Sequence, residues 1–439
     1  MSTYRVRGVP ADWDCQQLQS FLNDQETVTD AVIESLAHEN NGICQVATAT
    51  FENLPSQLQP GHSWSILIPR APNTKPTRKQ YLTIDEDFLG LTTLYTPSPE
   101  DHKIDIIALS GLGGHAFGSF KEKGGSYMWL RDSLPYDLTL ETKPIARVMI
   151  YGYESTVAES KSMQNLEDFA TKFHVSLQTL MNATTIRPII LIGHSLGGLI
   201  IKEALISLSG SENKESQTLI RAVYGVVFFG TPHHGMDISS LIPMAGDGSN
   251  RSLIESLSHD NSQILTIQHR EFHKALGGEG ESEVFCFYET LKSPTAQQDQ
   301  FGGWKMTGPG ALLVTKTSAT NCRPWEDGAE NICALSRTHS ELVKFKPNES
   351  DYDIVKEKIK GLCKRAFTTR GVSFDLYCNK CNEFGHTAGA PHCFECREFG
   401  HTAYDVHCWK CGGIGHYADE PHCRKCHSFE HLTKDCPMR

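Results

Sequence analysis

The sequence predicts an α/β architecture built on a mostly parallel sheet, flanked by two smaller units, and three observations carry that reading. Between residues 101 and 366, short apolar and β-branched runs alternate with stretches of helical spacing. One of those runs feeds a G-x-S-x-G turn, and a helical stretch leaves it. From Cys378 onward, apolar periodicity gives way to a Cys/His repeat of period fifteen.

At 439 residues the chain exceeds one compact core, so two or three domains are expected. The boundaries fall at 1–70 for a small α+β unit, 71–100 for a linker and the first strand of the large domain, 101–369 for the large domain, and 370–439 for the repeat. A net charge of −11 supplies no general attraction to nucleic acid or anionic membrane. The residues MSTYRVRGVPADWD lack the apolar core of a secretory signal, so a cytoplasmic setting is the expectation, with nuclear or peripheral membrane association compatible. The longest apolar stretch, Arg187 to Leu208, is broken by Pro188, Gly193, His194, Gly197, Gly198, Lys202 and Glu203 and reads as strand then helix, not as a transmembrane segment.

In the first 70 residues, Tyr4–Val9 alternates like a strand and Trp13–Leu22 carries helical spacing; Val32–Leu36, Gln45–Phe51 and Ser63–Ile68 read as further strands. The order resembles an RNA-recognition motif. In that family aromatics on the central strands stack bases, whereas here Val46 and Thr48 hold the inner positions, so a face used for packing is the favoured reading. Residues 69–80, with three prolines and four basic residues, read as a linker.

The large domain's expected strands are Lys103–Ser110, Ala146–Tyr151, Pro188–Gly193, Ala222–Gly230, Glu283–Tyr288 and Ala311–Thr315, with helices near 162–181, 196–208, 251–276 and 351–366. Gly193-His194-Ser195-Leu196-Gly197-Gly198 is a nucleophile elbow between strand and helix, the signature of an α/β-hydrolase, and makes Ser195 the candidate nucleophile. An oxyanion needs two preorganised N–H donors, for which Leu196, after the nucleophile, and Leu112, in the Gly-rich loop 110–115, are the candidates. No G-x-x-x-x-G-K-[ST] is present, which disfavours a P-loop nucleotidase. In this fold the acid and then the histidine follow the serine. His339 alone among the downstream histidines outside the tail comes after the last two expected strands. For the acid, Glu289 ends a late strand; Asp237 is the rival, and Asp327 a more distant one. Residues 236–280 form an insertion rich in Ile and Leu, readable as a lid or as core-facing helices.

The segments LSGLGGHAFGSF, MIYGYES, LIGHSLGGLIIKEAL, VVFFGTPHHG, CFYET and RTHSELVKF together resemble the serine-active-site-containing lipase-like family, with GPI-inositol deacylases as more distant relatives. The nearest likeness is to hydrolase domains that stand before NLR-like signalling ATPases in filamentous fungi. It covers about residues 85–366. The resemblance implies hydrolysis of an ester or lipid substrate with Ser195 as nucleophile, Glu289 as acid and His339 as base. The chain departs from that architecture by carrying a cysteine tail where the ATPase would stand, which leaves a catalytically silent scaffold as the alternative to an enzyme.

Nine of the fifteen cysteines lie between Cys378 and Cys436. Cys378-x2-Cys381-x4-His386, Cys393-x2-Cys396-x4-His401, Cys408-x2-Cys411-x4-His416 and Cys423-x2-Cys426-x4-His431 share one register, and Cys436 completes the last as C-x2-C-x4-H-x4-C. This resembles the zinc knuckles of retroviral nucleocapsid proteins and implies Zn2+. In the first three units Pro391, Val406 and Pro421 replace the fourth cysteine, and His392, His407 and His422 follow one residue later as substitute ligands. Phe394 and Trp409 occupy a base-stacking position of that family, yet residues 378–439 hold seven Lys/Arg against eight Asp/Glu. Single-stranded nucleic acid and a protein partner therefore both remain open for the tail.

Overall fold

The computed structural model describes residues 2–370 apart from breaks at 26–27, 40–41, 59–60, 70–78, 159, 183–185, 260–261, 278–280 and 327. Beyond residue 370 it describes only the backbone of Tyr377–Cys378 and Glu383–Phe384, paired as a two-residue ladder. All sixteen residues expected to bind zinc thus have side chains outside the described residues, as does Asp327.

Met1–Thr369 is one compact unit. Its larger sheet has seven strands, in spatial order Gly90–Tyr95, Ala146–Gly152, Ile104–Leu109, Ile189–His194, Val223–Phe229, Glu283–Glu289 and Ile332–Leu335. The first is antiparallel to its neighbour and every other pairing is parallel. Four central strands, from Ala146–Gly152 to Val223–Phe229, are buried at every residue and apolar but for Asp105, Arg147 and His194, as parallel strands covered on both faces generally are. The order is that of an α/β-hydrolase sheet. It brings the carboxyl ends of Ile104–Leu109, Ile189–His194 and Glu283–Glu289 to one edge, where open α/β sheets hold their ligands.

One expected strand is corrected. Ala311–Thr315 does not join the sheet; Ala311 ends a hairpin, Ser293–Gln298 with Trp304–Ala311, and the last sheet strand is Ile332–Leu335, paired with Cys286–Glu289. Leu313 and Val314 instead turn their amides toward a carboxylate, which a ladder would have prevented. The expected helix over 251–276 is two helices, Arg251–Ser256 and Gln263–Ala275.

The amino-terminal sheet runs in the order Thr29–His38, Cys44–Asn53, Tyr4–Pro10, Tyr81–Asp85, Trp64–Leu67, with helix Cys15–Asn23 between its first two strands in sequence. Tyr81–Asp85 belongs to this sheet, and Gly90–Tyr95 is the first strand of the large one. Val46 and Thr48 are fully buried. Arg131 of the large domain reaches across to donate to Thr48 Oγ1 at 3.3 Å and pairs with Glu34. Arg5 forks onto Asp85 at 3.0 and 2.9 Å and donates to Leu89 O and Thr92 Oγ1. Val46 and Thr48 are thus taken up in packing, and Tyr81–Asp85 stands between Tyr4–Pro10 and Trp64–Leu67 in this sheet.

Candidate active site

Ser195 joins the strand Ile189–His194 to the helix Leu196–Ser209 with φ 52° and ψ −124°, a left-handed conformation that a non-glycine residue holds only under constraint. Its amide donates to Phe229 O at 2.9 Å. The surrounding glycines are sterically required. A Cβ on Gly193 would lie 2.6 Å from Gly198 Cα, one on Gly197 2.5 Å from Ser110 O, and one on Gly198 2.0 Å from Thr231 Oγ1. The elbow thus follows from closeness of strand, helix and the Thr231 loop.

Three of the sequence-selected side chains meet. Ser195 Oγ lies 2.9 Å from His339 Nε2, and His339 Nδ1 lies 2.5 Å from Glu289 Oε2. All three residues are buried. The other oxygen of Glu289 accepts from the amides of Leu313 at 2.9 Å and Val314 at 3.2 Å. Three donors, two backbone amides and the imidazole, thus converge on this one buried carboxyl group. The carboxylate in turn places the imidazole proton on Nδ1, leaving Nε2 to accept from the serine hydroxyl. Asp237 stands elsewhere: its Oδ1 accepts from Ser239 N and its amide donates to Leu313 O.

Leu112 and Leu196 flank the serine. Leu196 is the first residue of its helix, so its amide has no intrahelical carbonyl to reach. In the Gly-rich loop the amides of Gly113 and Gly114 are taken by Ser155 O and Gly111 O, and Leu112 lines the cavity beside Ser195. Gly111 must lack a side chain, since a Cβ there would lie 2.8 Å from Ser195 Cβ.

Sequence reasoning passed over five contributors. His194, the residue before the nucleophile, donates from Nε2 to His339 O at 2.9 Å, and burial, reinforced by the His339 charge, pushes its pKa down to about 3. Ser293 accepts from His339 N at 2.9 Å. The amides of Leu313 and Val314 hold the acid, and Lys344 lines the cavity. His194 sits inside the motif and could have been singled out; the others arrive from chain segments far away in sequence.

The cavity beside Ser195 measures about 240 Å³. Met236 and Leu241 contribute to it from the insertion, and Ser293, Pro294 and Met306 from the hairpin. Leu112, Ile238, Leu241, Ile242 and Met244 pack against a buried cluster of Val157, Ala245 and Ile254. The later part of the insertion is different: Gln268 in helix Gln263–Ala275 donates to Leu199 O, so that helix is core. A larger cavity of about 410 Å³, lined by Glu86, Asp87, His115 and Lys121, includes none of Ser195, His339 or Glu289.

The strand order and the strained elbow are those of the α/β-hydrolase fold. No protein-family model matches the chain. Among curated proteins it is similar to Protein SERAC1 of Bos taurus, 26% identical over 206 residues, which is 43% of this chain and 30% of that protein. It is similar to Protein SERAC1 of Homo sapiens at 25% over 205 residues, with the same coverage of 43% and 30%. The matched segment therefore spans 30% of the length of these relatives. Among solved structures it is similar to the lipase BlEst2 of Bacillus licheniformis, with TM-score 0.33, 16% identity and coverage of 57% of this chain and 89% of that one. Est1E from Butyrivibrio proteoclasticus gives TM-score 0.35 and 12% identity, covering 63% of this chain and 93% of that one. Among the described residues no helix is long and apolar enough to cross a membrane, and no group of His, Cys, Asp and Glu could hold a metal ion.

Proposed function

We propose that the chain is a serine hydrolase of carboxylic esters. The hydrogen-bonded series Ser195–His339–Glu289, set on a strained elbow, carries this reading. His339 Nε2 takes the hydroxyl proton as Ser195 Oγ attacks the ester carbonyl. The amides of Leu196 and Leu112 receive the oxyanion, and the tetrahedral intermediate collapses with the alcohol leaving on the proton from His339. Water, deprotonated by His339, then attacks the acyl-serine, and the acid is released as Ser195 regains its proton. Glu289 keeps the imidazole in the required tautomer. Labelling by a fluorophosphonate probe tests the reading, since only an activated serine reacts: the expected adduct is on Ser195, and an unlabelled protein would leave a silent scaffold as the better description.

The tail from residue 370 is, in this reading, a separate zinc-binding segment. Four C-x2-C-x4-H sets provide soft thiolate and imidazole donors suited to tetrahedral Zn2+, with Cys436 or the histidines at 392, 407 and 422 as fourth ligands. Between Cys378 and Arg439 the only Leu, Ile or Val residues are Val406, Ile414 and Leu432, too few for burial to offset chain entropy. Metal analysis of the full chain should approach four zinc per molecule; a ratio near one would leave Cys423, Cys426, His431 and Cys436 as the working set, and none would end the zinc reading. Whether single-stranded nucleic acid or a protein docks on it is decided by the salt dependence of binding to a single-stranded oligonucleotide.

A further inference from the structure

The cavity beside Ser195 has an unusual charge for this molecule. The chain carries a net charge of −11, yet no Asp or Glu is among the sixteen residues lining that cavity, and the one Lys or Arg among them is Lys344. Ser119, Ser293 and Ser340 add hydroxyls, and His194 beside them is held neutral by burial.

Lys344 has no carboxylate of its own among the described residues. Glu341, the acid whose charge acts on Lys344, is itself engaged by Lys123 Nζ at 3.2 Å and by Thr338 Oγ1 at 2.9 Å. Arg337, the other cation on this segment, is saturated: it pairs with Asp351 at 2.7 Å and with Glu349, and donates to Lys344 O at 2.8 Å. Lys202, the fully buried lysine, is answered by His233 Nδ1 at 3.3 Å and the Phe272 ring. Lys344 is half-buried, and burial pulls its pKa below the ordinary lysine value. A cation that has lost part of its hydration without gaining an ion pair gains most from an anion arriving with the substrate.

Size narrows the substrate further. A cavity of about 240 Å³ falls below the roughly 300–1,000 Å³ that take drug-sized ligands, so what it holds wholly within its walls is compact. Resting on the hydrolase reading above, we infer that the pocket is built for a compact ester bearing an anionic group, a carboxylate or a phosphate, which Lys344 holds while Ser195 attacks the carbonyl.

Paired substrates test this on the full chain. Methyl hydrogen succinate against methyl butyrate probes a carboxylate, and 1-butyrylglycerol 3-phosphate against 1-butyrylglycerol probes a phosphate, each followed by acid release at constant pH. The wild-type protein should favour the anionic member of at least one pair by about tenfold in kcat/KM. Lys344→Met should reduce that ratio by about the same factor, and Lys344→Arg should keep most of it. A ratio near one in both pairs overturns the inference, and because it is read on the unaltered protein it does not depend on how the variants fold. A ratio that survives Lys344→Met overturns it equally. If Ser195 takes the fluorophosphonate label while the ratios are flat, only this inference falls; if it takes no label and no ester is cleaved, the hydrolase reading falls with it.

Discussion

The two ends of the strand Ile104–Leu109 solve opposite problems with similar side chains. At its amino end Asp105 is buried and fully answered: Arg147 donates at 2.7 Å and 2.8 Å, and His102 Nε2 at 2.8 Å. Burial alone would raise the Asp105 pKa, but Arg147 first and His102 second hold it well below the usual carboxylate range. At the carboxyl end the sheet carries polar groups with valence to spare. His194 Nδ1 is buried without a partner, the Leu196 amide opens a helix, and Lys344 has no carboxylate within ion-pair distance among the described residues. At this strand the polar group that serves stability is saturated, and those beside the reacting serine keep a bond free for the reactant.

That contrast is broken most sharply at the carboxyl end. Ser195→Ala and His339→Ala should each lower kcat on any accepted ester by at least ~10³ while the unfolding midpoint changes little, because the lost groups bind the reaction more than the fold. Near-wild-type turnover by Ser195→Ala would remove it as the nucleophile. Glu289→Gln should also cost heavily, up to about 10⁴ in kcat, since an amide can no longer dictate the imidazole tautomer. Asp237→Asn, at a residue that caps Ser239, should cost less than about threefold. The reverse ranking would move the acid role to Asp237.

The amino end should answer in stability instead. Arg147→Met leaves Asp105 charged and buried with only His102 beside it, a loss of about 3–5 kcal/mol by analogy with other broken buried pairs. Chemical denaturation reads this directly, and turnover below the new melting range should match wild type. A large fall in kcat at full folding would show that the two ends are coupled.

What could be read from sequence follows the same division between local and distant causes. The run Ile189–Ile192 and the glycines around Ser195 are dictated within a dozen residues, by burial on both faces and by contacts too close for a Cβ. Glu289 could be placed because it ends a strand of evident apolar character. The hairpin was hidden: Pro294, Pro309, Gly308 and Gly310 argue against strand, and it is tolerated because the hairpin stands outside the main sheet. Ala311–Thr315 has the composition of a strand and is not one, since its amides are claimed by Glu289, a residue 24 positions away from Leu313. Lys344 has no sequence signal at all; its role depends on which carboxylates the fold has already used.

The smallest effect belongs to His102, and its sign is fixed by burial. Its pKa lies below the ordinary histidine value because burial disfavours the cation more than Asp105 favours it. The folded protein therefore holds His102 neutral at a pH where the unfolded chain binds a proton. Its share of stability is present above the unfolded value of about 6.5 and declines as pH falls from there toward the folded pKa. His102→Gln keeps an N–H able to reach Asp105 but cannot titrate, so at pH 7.5 the cost should be about 1 kcal/mol or less. Between about pH 6.5 and 5 the gap between variant and wild type should narrow, since only the wild type loses stability there through this residue. Asp105 is ionised in both the folded and the unfolded chain above about pH 5, so it adds little to the slope in that window. Denaturant midpoints at pH 7.5, 6.5, 5.8 and 5.0 would show the convergence; a gap that widened toward pH 5 would mean that the folded protein carries His102 charged, as half of an ion pair with Asp105.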